Sequence, residues 1–117
     1  MEKELLDFVA ERVDTLSVSG ASKQDTKEAA LAWKEAVAAG KDADAETEAL
    51  LGFLEGRMLP IDGLIAFLEG PAATYFGEEK ASAMLTEQKQ RKEQGERFCN
   101  CEAHAAAEQL LTKFGRI

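Results

Sequence analysis

The sequence predicts an all-α protein: a compact helical bundle of about five helices plus a short helical turn, with mostly antiparallel neighbours. Three observations carry this. The 117 residues are rich in Ala, Leu, Glu, Lys and Gln, the better helix formers, and hold only two prolines. Apolar side chains recur at spacings of three and four, and the alternation that marks a half-buried strand is missing. The breaks between periodic segments are a few residues long, which returns each helix beside its predecessor. The length suits one hydrophobic core, so residues 1–117 are expected to form a single domain.

Residues 2–16 place Leu5, Val9, Arg12 and Leu16 on one stripe, with Leu6, Phe8 and Val13 beside it, and predict the first helix. Val18, Ser19, Gly20, Ala21 and Ser22 break the pattern. Ser22 is the expected cap of a second helix, with Asp25 in its first turn and Ala30, Trp33 and Val37 facing inward. Gly40 stops it. In the polar connector KDADA, Asp42 or Asp44 can cap a third helix over 45–58, whose inner face is Thr47, Leu50, Leu51, Leu54 and Met58. Gly52 and Gly56 each weaken that helix by up to about 1 kcal/mol relative to Ala, which predicts a closely packed neighbour there.

Pro60 ends the third helix, and Asp62 is the expected cap of a short, very apolar one holding Leu64, Ile65, Phe67 and Leu68. So apolar a surface suggests an element buried all round. After Gly70-Pro71, residues 71–76 read as one or two turns stopped at Gly77. A long polar helix then runs from Glu78 to about Gln94, with Ala81, Met84, Leu85 and Gln88 inward and its second half projecting into solvent. FCNC is a short connector. The last helix, about 101–114, turns Ala103, Ala107, Leu110, Leu111 and Phe114 inward.

The net charge of −8, most of it in residues 1–60, repels nucleic-acid phosphates and anionic lipid, so neither is an expected partner. Lys89, Arg91, Lys92 and Arg97 form the best basic cluster, but Glu93 and Glu96 interrupt it and it reads as a solvated helix face. No apolar run reaches the roughly 20 residues that span a bilayer, and the start MEKELLDF lacks a basic, then apolar, signal sequence. A cytoplasmic location is expected, where two cysteines are thiols, metal ligands or transient redox partners.

FCNCEAH holds both cysteines and the sole histidine. Asn100 is a favoured cap residue, which would put Cys101 at the first helical position. The helix dipole and the basic segment before it would then stabilise its thiolate. His104, three residues on, faces the same way, and Cys99 lies just outside the first turn. Three donors, Cys99, Cys101 and His104, can converge on one ion, with zinc first and iron second. The fourth ligand is open among water, Glu102, Glu108 or a partner's residue. Alternatively Cys101 is a reactive thiolate and Cys99 resolves it, forming a tight Cys-x-Cys disulfide that strains the bond and is easily reduced.

A third reading is an interaction module, docking or forming a homodimer through Leu64, Phe67 or Phe76. No Gly-rich phosphate loop and no Ser or Thr motif accompanies the one histidine, so a conventional hydrolase or kinase is not expected.

The runs MEKELLDFV, KEAALAWKEAV, PIDGLIAFLEG with FGEEKA, and FCNCEAHAAAEQLL together resemble a group of small all-helical proteins from anaerobic bacteria, some of which carry a heat-shock or chaperone label. The likeness spans almost the whole chain and implies the same fold, with no established activity. Those proteins tend to have Cys-x-Cys-x-x-Cys where this chain ends in His104, and two adjacent cysteines where it has Ser19-Gly20. The first exchange swaps one metal-compatible donor for another; the second removes thiols that a larger cluster would need. An ATP-driven chaperone needs a nucleotide-binding α/β domain, which this chain lacks.

Overall fold

A computed structural model describes all 117 residues and is all-helical. Seven helices occur: α1 (Lys3–Val18), α2 (Gln24–Ala38), α3 (Ala43–Glu55), α4 (Ile61–Glu69), α5 (Ala72–Phe76), α6 (Glu78–Glu93) and α7 (Glu102–Lys113). The expected total of about five plus a turn is low: the segments read one by one, including the short apolar helix at α4, all form, and the 71–76 turn is the short helix α5. The chain forms two compact units, Met1–Met58 with Asn100–Ile117, and Leu59–Cys99.

In the first unit α1 packs on α2 and α7, and α3 packs on the same two helices, so the four close a ring around one core. Val9, Val13 and Leu16 of α1, Ala30 and Trp33 of α2, Leu50, Leu51 and Leu54 of α3, and Leu110 and Leu111 of α7 fill it. Ala103, Ala106 and Ala107 line the α7 side of the core, where small side chains leave room for the large residues opposite. One polar contact is fully enclosed: the Trp33 indole Nε1–H donates to Thr47 Oγ1 at 2.9 Å. It satisfies the only polar atom Trp33 brings into the core.

The second unit is made of α4, α5 and α6. Ile61, Leu64, Ile65 and Leu68 of α4 are buried, whereas Asp62, Gly63, Ala66 and Glu69 face solvent. The expectation that α4 is enclosed on every side is therefore wrong; it is amphipathic, with one wide apolar face. Phe67 is half-buried, and its ring stacks on Tyr75 and meets Phe76 edge-on, at centroid separations of 6.1 and 6.3 Å. Tyr75 and Phe76 are exposed.

The two ends of this unit lie side by side as an isolated antiparallel bridge, Pro60 with Phe98. Ile61 N–H donates to Arg97 O at 2.8 Å, and Cys99 N–H donates to Leu59 O at 2.9 Å. Proline fits this position because the bridge asks no N–H of it. The second half of α6 is tied down rather than free: Arg91 Nη1 donates to Gln88 Oε1 at 2.7 Å and to Phe98 O at 2.9 Å. Lys92 pairs with Asp62.

Helix starts differ most from expectation. Asp42 does cap α3, accepting from Asp44 N–H at 3.0 Å. Ser22 does not cap α2; the cap position is Lys23, and Ser22 Oγ is buried without a hydrogen-bond partner. Asp62 does not cap α4 either, because the helix already begins at Ile61 after Pro60 and the carboxylate is taken by Lys92. The close approach expected at Gly52 and Gly56 is absent: a Cβ at Gly52 would meet nothing within 4 Å, and one at Gly56 would meet only Phe53 O at 3.6 Å. Gly56 instead ends α3, three residues earlier than Pro60 would have ended it.

Candidate metal centre

The site begins with the cap of α7. Cys101, not Asn100, is the N-cap residue, extended at φ −60° and ψ 159°, and helix geometry starts at Glu102. The expectation that Asn100 caps and Cys101 opens the helix is thus displaced by one residue. The cysteine side chain now does what a serine commonly does: His104 N–H donates to Cys101 Sγ at 3.4 Å. Sulfur is a weak acceptor, but the contact fixes Sγ over the first turn, where the N–H groups and the helix dipole favour negative charge.

His104 is the third residue of α7, so its ring falls back on the cap. Its Nδ1 lies 3.0 Å from Cys101 Sγ. Its other nitrogen, Nε2, lies 3.1 Å from the main-chain oxygen of Arg57, just beyond the end of α3. Both ring nitrogens are therefore engaged. Cys101 and His104 are half-buried, and Cys101 packs against the first unit's core.

Cys99 is two residues from Cys101 and buried, its N–H held by Leu59 O and the carbonyl before it by Arg91. The thiol sulfurs of Cys99 and Cys101 and a ring nitrogen of His104 all lie within 4.8 Å of one another. All three residues expected from the sequence are thus brought together, within a six-residue stretch. In tetrahedral zinc, bonds of about 2.3 Å to sulfur and 2.0–2.1 Å to nitrogen set ligand separations of about 3.5–3.8 Å. To bring this set onto one ion the widest separation must close by about 1 Å and the 3.0 Å Cys101 Sγ–His104 Nδ1 pair must open by about 0.5 Å. Two thiolates and an imidazole match zinc's preferences and also suit iron.

Arg57 was not anticipated. Its guanidinium lies over the Phe53 ring at 4.6 Å and reaches Asp25 in the first turn of α2, with Nε at 2.9 Å and Nη2 at 2.7 Å from one carboxylate oxygen. The Arg57 hydrogen bond, helped by its positive charge, holds the Asp25 carboxyl below the ordinary value of 3.8. No residue-type pattern marks Arg57, because it meets His104 through its main chain. The basic cluster proposed to favour the Cys101 thiolate is used differently: Arg91 binds Gln88, Phe98 O and Glu96.

No helix is long and apolar enough to cross a membrane. Comparison with protein-family models, with curated proteins and with solved structures gives no match.

Proposed function

We propose that Cys99, Cys101 and His104 bind one transition-metal ion, zinc before iron, and that the protein serves a sensing, storage or structural role rather than an enzymatic one. The convergence of three donors within 4.8 Å carries this reading. The burial of Cys99 and the capping contact at Cys101 support it too, because both hold sulfur in place before any ion arrives and lower the ordering cost of binding. The test is titration of reduced, metal-free protein with cobalt(II), whose thiolate charge-transfer absorption reports sulfur ligation. Wild-type protein should saturate at about one equivalent, and Cys101→Ser combined with His104→Ala should abolish the signal. Fully helical protein that takes up neither cobalt nor zinc rejects the proposal.

One observation favours a second reading. The 3.0 Å contact between Cys101 Sγ and His104 Nδ1, with Nε2 oriented by a carbonyl, is the arrangement of a thiol beside its base. With a peroxide as oxidant, His104 Nδ1 would take the Cys101 thiol proton, the thiolate would attack one peroxide oxygen to give a sulfenic acid, and the departing oxygen would take that proton and leave as water or an alcohol. The Cys99 thiol would then displace hydroxide from that sulfur, closing the disulfide, and the hydroxide with the thiol proton would leave as water. This reading requires Cys101 to alkylate at neutral pH much faster than a free cysteine would; equal, slow alkylation of both thiols rejects it.

A further inference from the structure

The His104 ring is gripped from both sides, and the two grips differ in kind. A carbonyl oxygen only accepts hydrogen bonds, so the 3.1 Å contact with Arg57 O requires a proton on Nε2, whether the ring is neutral or cationic. In the neutral ring the lone pair then belongs to Nδ1, the nitrogen turned toward Cys101 Sγ at 3.0 Å. Histidines that ligate metals commonly give their second N–H to a carboxylate or carbonyl, which fixes tautomer and ring orientation.

The Arg57 carbonyl is itself held in place. Arg57 N–H donates to Leu54 O at 2.9 Å in the turn that leaves α3. The side chain is clamped by Asp25 and rests on Phe53. A chain of contacts thus runs from α2 through the end of α3 to the first turn of α7, all inside the four-helix unit.

We infer that His104 ligates through Nδ1, and that Arg57, clamped by Asp25, is the positioning residue that selects this nitrogen by accepting a hydrogen bond from Nε2–H at its main-chain oxygen. The inference rests on the metal-binding reading above. Ligation through Nε2 would break the Arg57 contact and turn the ring's bonding nitrogen away from Cys101 Sγ. Because the Asp25–Arg57 pair is about half exposed, loosening it acts modestly: Asp25→Asn should weaken metal binding about two- to fivefold.

The chain has one histidine, so nitrogen-15 long-range correlation spectra of the full-length protein report His104 alone. Loaded with cadmium-113, the wild type should show coupling from the metal to Nδ1 and a protonated Nε2. Coupling to Nε2 with a protonated Nδ1 overturns the inference while leaving the metal-binding reading standing; absence of any uptake overturns both. Metal-free Arg57→Ala should show mixed tautomers, and Arg57→Lys, which keeps a cation for Asp25, should restore much of the wild-type pattern. A single unchanged tautomer in Arg57→Ala, with unchanged affinity in Asp25→Asn, overturns the positioning role.

Discussion

The cap of α7 and the candidate donor set meet at Cys101, and substitution can separate them: its sulfur caps the helix and is one of the three candidate donors. Serine keeps an acceptor at the cap and loses the soft ligand; alanine loses both. Replacing a good N-cap by Ala costs typically about 1 kcal/mol, within about 0.5–2 kcal/mol. The Cys101 cap belongs at the low end, because sulfur accepts weakly and the contact is 3.4 Å long. With metal chelated, Cys101→Ala should therefore lose about 0.5 kcal/mol relative to wild type, and Cys101→Ser should exceed Cys101→Ala by about 1 kcal/mol. The single Trp33, buried in the same four-helix unit, gives the assay: urea unfolding followed by its fluorescence. The Ser and Ala midpoints should differ by roughly 0.5–1 M. If Cys101→Ser is no more stable than Cys101→Ala, the sulfur does not cap the helix and the reasoning fails.

The enclosed Trp33–Thr47 bond yields another outcome: Thr47→Val keeps the volume but strands the indole N–H, costing about 1–3 kcal/mol, whereas Thr47→Ser should cost less, and a Val variant as stable as wild type would contradict this. Asp25 predicts a pH effect with a fixed sign. Its carboxyl is held below 3.8, so the stabilisation is complete above that ordinary value and is lost as pH falls through the lower folded value. The stability gap between wild type and Asp25→Asn should shrink on acidification, and a gap that is constant between neutral pH and pH of about 3 would show that the Arg57 pair contributes nothing.

Helix identity was legible because it rests on many side chains at once. Val9, Val13 and Leu16, or Leu50, Leu51 and Leu54, repeat at the helical period, and their burial follows from that repeat. Only the Asp42 cap was legible; those expected at Ser22, Asp62 and Asn100 were not, because each is worth about 1 kcal/mol and a tertiary partner easily outweighs it. Asp62 is drawn to Lys92, and the turn at α2 puts Lys23 where Ser22 was expected. The three candidate donors could be read directly, since they sit within six residues of chain. What orients His104 could not, because the partner is a main-chain oxygen 47 residues earlier, a group every residue possesses.

Whether Cys99, Cys101 and His104 hold a metal is decided by elemental analysis of the full chain, purified under reducing conditions without chelator and then exposed to excess zinc and desalted. About one equivalent of zinc should stay with each chain, and it should be lost when Cys101→Ser and His104→Ala are combined. Wild-type protein that keeps its full helicity and emerges without metal would contradict that expectation.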